Sequence, residues 1–387
     1  MSSGAAPDES GSRPAFGAFL RYFLGLGTWG FGGPIATVGY MQRDLVEKRR
    51  WLERKDFLDG VALGQTMPGP LAAQVCMWVG YLQRGALGAA AIALPFILPS
   101  FLLVLGVAVV YVRYQGLPVV HSLFYGIAPG VVAIIVIAAV RLARLTNRQD
   151  RRLWAISAVI MAVTAATGAE VAVLFVAAGL LMVVVDAPPR WLHRPHVPLL
   201  VPAAGPGLLG AAASAGRLED LGLFFLKAGA FIFGSGLAIV PFLRQGVVAE
   251  HHWLTERQFL DAVAMGLISP GPVVITATFI GYLVAGVPGA VVATLAIFLP
   301  VYLGVVVPGR WFVRHRDNAQ VGAFVRGATA AAAGAIAGAT VVLARQAVVD
   351  GVTAAIAVVC LVLLWRFKLR EPYVVLATGA VGLLVHR

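Results

Sequence analysis

Apolar stretches long enough to reach across a bilayer recur along the whole chain. They fall at about 16–40, 57–82, 86–112, 117–140, 153–168 and 170–186, and again at about 220–243, 259–284, 287–308, 321–344, 348–365 and 371–386. Backbone placed in hydrocarbon must satisfy its own polar groups, so such stretches fold as helices. The expected class is therefore an all-α polytopic membrane protein. Composition agrees: of 387 residues, 59% are apolar and 12% charged, against about half and a quarter in a soluble domain. At roughly 20 apolar residues per span, this supplies about eleven spans, within a range of about 10–13 segments. The net charge of +12 sits in short runs between apolar stretches. It reads as a loop code for orientation, not as a nucleic-acid surface. The lipid bilayer is the expected surround.

The second set of stretches copies the first. Shifted by 202 positions, Phe31 meets Phe233, Trp51 meets Trp253, Asp59 meets Asp261, and Pro68-Gly69-Pro70 meets Pro270-Gly271-Pro272. After one dropped residue the shift is 201. Gly80-Tyr81 then meets Gly281-Tyr282, Pro99 meets Pro300 and Arg144 meets Arg345. The chain divides into a polar tail (1–15), a first repeat (16–186), a Pro/Gly/Ala-rich linker or extra span (187–216) and a second repeat (217–387). The tail has no apolar run and so is no cleavable signal.

In matched loops the basic residues sit mostly in one copy, and which copy changes from loop to loop. Arg141, Arg144, Arg148, Arg151 and Arg152 follow the fourth segment of repeat one, whereas the twin loop keeps only Arg345. Arg310, Arg314 and Arg316 face a lone Arg113, and Arg366, Lys368 and Arg370 face a loop with no basic residue. Because Lys/Arg bias sets orientation, the repeats are expected to be inverted. Loop 43–55 is basic with the wrong parity. Either it is an interfacial helix, or the first or second segment does not cross fully. Inversion also needs five spans per repeat or a crossing within 187–216.

The first two segments of each repeat are interrupted. The breaks are Gly30-Phe31-Gly32-Gly33-Pro34 with Phe233-Gly234-Ser235-Gly236, and Met67-Pro68-Gly69-Pro70 with Ser269-Pro270-Gly271-Pro272. Proline lacks an N–H and clashes with the preceding turn, so a helix should stop and restart near mid-membrane. Discontinuous helices in paired repeats form the binding sites of secondary transporters. Free N–H groups at restarted helices favour an oxyanion. The candidate substrate-binding residues are Gly32, Gly33, Pro34, Thr37, Gln65, Pro68, Gly69, Pro70, Gln74, Gly234, Ser235, Gly236, Ser269, Pro270, Gly271, Pro272, Thr276 and Lys227. Thr66 and Thr278 are further neutral donors. Neutral donors hold a dianion without locking it in place. The competing reading is that these Gly and Pro residues only permit kinks and close packing.

Lys227 has no basic twin, being matched by Gly25; it is a counter-charge or a snorkelling surface residue. Asp59 and Asp261 are candidates for proton coupling or, as acids at a helix start, ordinary caps. Gly334-x-x-x-Gly338 reads as a close helix contact. Cys76 and Cys360 read as two small buried hydrophobes. No Walker A, HExxH or GxSxG sequence is present, and no metal or other cofactor is expected. The chain reads as a transporter and not an enzyme.

At FGGPIATVGYMQRDLVEKRRWL (31–52), GQTMPGPLAAQV (64–75) and the stretch FLDAVAMGLISPGPVV onward (259–300), the chain resembles the chromate ion transporter family in its long, two-domain form. The resemblance covers about 16–387. It implies export of chromate, CrO₄²⁻, from the bacterial cytoplasm across the inner membrane. Sulfate, of the same shape and charge, is the alternative as an imported substrate, and an anion channel is a further one. A homodimer is left open. Members often carry His three residues after the FGGP proline; here that position is Thr37, which puts coupling and substrate in question. The residues themselves reach only a small oxyanion.

Overall fold

The structure is a computed structural model that describes residues 14–31, 33–114, 117–167, 172–188, 216–231, 236, 239–309, 311–312, 318–367, 369 and 371–385. All described elements are helical. Repeat one holds α1 (Phe16–Trp29), α2 (Gly33–Met41) running into a π-helix (Gln42–Lys48), α3 (Arg54–Thr66), α4 (Leu71–Tyr114), α5 (Pro118–Asn147), α6 (Arg151–Thr167) and α7 (Ala172–Asp186). Repeat two holds α8 (Arg217–Ala230), α9 (Ile239–Arg244) with a π-helix (Gln245–Glu250), α10 (Glu256–Ile268) and a 3₁₀ turn (Val273–Ile275). It continues through α11 (Thr276–Val306), α12 (Ala319–Ala347), α13 (Gly351–Phe367) and α14 (Glu371–Val385). The apolar segments are thus helices, in two matching sets.

The interrupted segments fold differently from the expectation. They are not spans that stop and restart. Each is a hairpin. Trp51 returns to lie 4.9 Å from Phe19 between ring centroids, and the Arg49 guanidinium sits 5.5 Å over the Tyr22 ring. So α1 descends and the α2–π arm comes back beside it. The Trp78 indole donates to the Asp56 carbonyl at 2.9 Å, and a Cβ on Gly60 would strike Trp78. So α3 and the first arm of α4 are also antiparallel. Two prolines remove ladder donors at the tip, and Gly69 takes φ 141°, a value glycine adopts freely. A 13-residue arm such as α3 is about 20 Å long, short of the roughly 30 Å hydrocarbon core.

A second reversal follows at Arg84 and Gly85, where Gly85 has φ 61°. The Cys76 thiol reaches the Ile92 carbonyl at 3.7 Å, and Gly80 packs on Gly88 so closely that neither has room for a Cβ. Residues 86–114 then run on as one long helix with Leu87, Leu94, Leu98 and Leu102 exposed. That apolar stripe is expected toward lipid, not water. Repeat two copies this detail: Gly286 has φ 62°, Gly281 packs on Gly289, and Thr278 bonds Thr294 at 2.7 Å. Among the described residues, four stretches are long and apolar enough to cross a membrane: Leu71–Tyr114, Pro118–Asn147, Val273–Val306 and Ala319–Ala347.

The repeats exchange their last helices. Gly334 and Gly338 of α12 lie against the carbonyls of Ser157 and Met161 in α6, the close contact that their spacing predicts. Gly327 of α12 packs on Ala178 of α7. Reciprocally, Gly126 and Gly382 bring α5 and α14 together, and the Arg144 guanidinium sits 4.8 Å over the Trp365 ring of α13. Small residues allow such approach where lipid offers little hydrophobic drive. Asp186 pairs with both Arg152, just past the end of α5, and Arg326, near the start of α12, at 3.1 and 2.8 Å. Tyr125, near the start of α5, bonds Asp350, just past the end of α12. The twins α5 and α12 therefore run in opposite directions.

Candidate functional site

The two PGP tips sit against the opposite repeat. Ser100, on the long helix of repeat one, donates its hydroxyl to the Pro270 carbonyl at 2.5 Å. Gly271 has φ 155°, and a Cβ there would strike the Ser100 hydroxyl. The twin of Ser100 is Val301, and Val301 Cγ1 would lie 3.0 Å from a Cβ on Gly69. Ser100 thus meets Gly271 as Val301 meets Gly69. Such reciprocity marks a two-fold relation passing between the tips.

Each tip is stitched differently. At tip one, the Gln74 amide nitrogen donates to the carbonyls of Met67 and Pro68 at 3.2 and 2.9 Å. The Gln74 carbonyl oxygen is buried and has no hydrogen-bond partner among the described residues. At tip two, Ser269 donates to the Gly266 carbonyl at 2.9 Å, and Thr276, the twin of Gln74, to the Val273 carbonyl at 2.8 Å. Gly236 of the first hairpin lies against Val273, a Cβ there standing 3.6 Å from Val273 Cβ. Both interrupted segments of repeat two therefore reach one place.

Of the other candidates, Thr37 is buried with its hydroxyl 3.4 Å from the Gly30 carbonyl, near the first tip of repeat one. Pro68 is half-buried, and Pro70 and Pro272 are buried at their tips. Gln65 is exposed on α3, and Thr66 bonds its own helix at the Ala62 carbonyl. Lys227 is exposed in the last turn of α8. Gly33 and Pro34 open α2. Gly32, Gly234 and Ser235 lie outside the described residues, as do most of the tail and most of 187–216.

The capping reading of Asp59 and Asp261 is corrected. Their helices begin at Arg54 and Glu256, and Thr255 caps α10 in a capping box with Gln258. Asp59 and Asp261 lie more than a turn inside and are buried, at 3% and 2% exposure. Asp261 accepts a 2.7 Å hydrogen bond from Tyr111 of the other repeat. Sequence reasoning missed Tyr111 and Ser100 because both lie in a featureless apolar helix and bond across repeats. Among the described residues no His/Cys/Asp/Glu group is arranged to hold a metal.

Paired helical hairpins with buried tips, among helices long and apolar enough to cross a bilayer, define the class as a polytopic helical membrane protein. The comparisons then give the family. A model described as chromate transporter matches residues 17–184 and 219–383, so the chain belongs to that family. It is 49% identical to the chromate transport protein of Cupriavidus metallidurans over 95% of this chain and 92% of that one. It is 46% identical to the probable chromate transport protein of Synechococcus elongatus, over 94% of each. Against the chromate transport protein of Pseudomonas aeruginosa identity is 30%, over 98% and 94%. No solved structure matches. Family and apolar helices together fit a multi-pass protein of the bacterial inner membrane with an oxyanion substrate.

Proposed function

We propose that the chain exports chromate from the cytoplasm by alternating access, with the anion held between the hairpin tips of repeats 16–186 and 217–387. The observation that carries this reading is the reciprocal seating of the PGP tips: Ser100 on Pro270 and Gly271, Val301 on Gly69. A site on such an axis is reached by rocking one repeat against the other.

In this reading the repeats are inverted in the membrane. The opposed directions of α5 and α12 support it. So does the Arg257 guanidinium, at the mouth of the second repeat's hairpins, which bonds the His121 carbonyl at the start of α5 at 3.2 Å. Loops 43–55 and 141–152 then share one face with the C-terminal ends of α11 and α13, and the Lys/Arg excess of the two loops assigns that face to the cytoplasm. Loop 43–55 loses its wrong parity because the segments on either side of it are hairpins and do not cross. A dianion leaving a negative-inside cell gains about 5 kcal/mol per 100 mV, which favours export.

The test measures chromate accumulation in cells carrying Gly69→Leu or Gly271→Leu at parental membrane levels. Both are expected to accumulate chromate. Exclusion at the parental level by both would remove the tips from the pathway. In everted vesicles, saturable chromate uptake supports export. Potential-driven sulfate import in its place would support the importer, and flux that neither saturates nor counter-exchanges a channel.

A further inference from the structure

Repeat one carries a basic pocket whose lining residues repeat two does not share. It opens between α1 and the returning α2–π arm, encloses about 530 Å³, and is lined by Arg21, Tyr22, Arg43, Asp44, Arg49 and Trp51, among others. Arg43 is paired with Asp44 at 2.9 Å. No carboxylate pairs with Arg21 or Arg49 among the described residues. The Arg49 guanidinium is held instead over the rings of Tyr22 and Trp51, at 5.5 and 4.7 Å. The Tyr22 hydroxyl is buried and has no hydrogen-bond partner among the described residues. Two uncompensated guanidinium groups and a waiting O–H donor match a tetrahedral dianion in charge and in donors.

The twin positions serve as an internal control. At a shift of 202, Arg21 becomes Leu223, Tyr22 becomes Phe224, Tyr40 becomes Phe242, Arg43 becomes Gln245, Asp44 becomes Gly246 and Arg49 becomes His251. There the space is filled: Phe224 stacks on Phe242 at 5.6 Å and occupies the place a Cβ on Gly246 would need. His251 stacks on Trp253 at 4.2 Å. Two hairpins with a shared backbone plan thus carry opposite surfaces, one cationic and open, the other aromatic and closed.

We propose that the repeat-one pocket is a capture site for the tetraoxyanion on the cytoplasmic face, ahead of the tip site, and that its absence from repeat two makes the release side non-retentive. Arg21 and Arg49 supply the charge, Tyr22 a directed donor, and the Arg43–Asp44 pair walls the pocket. This rests on the export reading and deepens it. The same chemistry could take the phosphate of an anionic lipid, so the test separates the two sources.

Initial chromate uptake is measured in everted proteoliposomes of phosphatidylcholine, with and without phosphatidylglycerol. Arg21→Gln/Arg49→Gln is expected to raise the half-saturating concentration at least tenfold, with maximal rate within twofold. Tyr22→Phe should raise it severalfold, and Arg21→Lys/Arg49→Lys should recover most of the loss. An unchanged half-saturating concentration overturns the proposal. So does parental activity that requires phosphatidylglycerol and an effect of the Gln pair that vanishes without it, since the pocket then serves lipid. Thermal stabilisation by sulfate is read in parallel on purified protein. It should be weakened in the Gln pair and kept in the Lys pair. A parent stabilised in this way but without chromate flux sinks the export reading and keeps the pocket; a flux-competent parent with indifferent variants does the reverse.

Discussion

The Tyr111 hydroxyl of repeat one donates a 2.7 Å hydrogen bond to the buried Asp261 carboxyl of repeat two. The corresponding positions in the reverse sense are Phe312 and Asp59, so the hydroxyl exists on one side only. Tyr111→Phe removes it with little change of shape. The buried carboxyl oxygen then loses its partner, at a cost of about 1–3 kcal/mol. The thermal midpoint of the purified protein is expected to fall by several degrees. Phe312→Tyr is not expected to restore it. An unchanged midpoint in Tyr111→Phe would show that this bond does not hold the repeats together.

Glycines at the tips and beside them should respond differently. Gly271→Ala meets both a φ of 155° and the Ser100 hydroxyl. Strain at such a position costs about 1–3 kcal/mol, and chromate flux should fall at least tenfold. Gly304→Ala has its nearest neighbour at 3.8 Å, the Pro68 carbonyl oxygen, and should retain flux within twofold. Equal flux in the two variants would refute this difference in crowding.

Ser100→Ala leaves the Pro270 carbonyl without its 2.5 Å donor, a loss of about 1 kcal/mol for a neutral bond. Because the bond joins the two repeats, limited proteolysis of the membrane-embedded protein should speed up at the loop before α10. Cleavage at the parental rate would place the loosening elsewhere.

Asp350 gives a pH dependence. Its carboxyl accepts the Thr353 backbone N–H and the Tyr125 hydroxyl, and both hold it below its usual range. A lowered folded value means the contribution to stability is complete above the ordinary carboxylate value of about 3.9. It is lost as pH falls through the lowered value. The gap in thermal midpoint between parent and Asp350→Asn should be constant from pH 7 to pH 5 and shrink below about pH 4. A gap that stays constant in acid would exclude this carboxyl as the titrating group.

Class, duplication and the positions of the interruptions were legible because they are patterns along the chain. Apolar runs mark helices, and Pro-Gly-Pro marks where they end. What could not be read locally was direction. A helix that stops at Pro68 can continue or turn back, and Gly69 permits both. The reversal depends on Trp78 reaching the Asp56 carbonyl and on Gly80 meeting Gly88. The cap alternative for Asp59 and Asp261 arises because helix starts are known only to within a few residues from sequence. The partners Ser100 and Tyr111 act across the repeats, where no local spacing could identify them.

The exchange of terminal helices sets a schedule for manufacture. α6 and α7 leave the ribosome well before α12, the surface they finally rest on. Until then the seam of Ser157, Met161 and Ala178 faces lipid, and α5 waits still longer for α13 and α14. Neither half is complete at birth, and a chain halted between the repeats would hold an uncovered groove on α5. Two half-length chains made separately in one membrane should therefore seek each other out, each finishing the other.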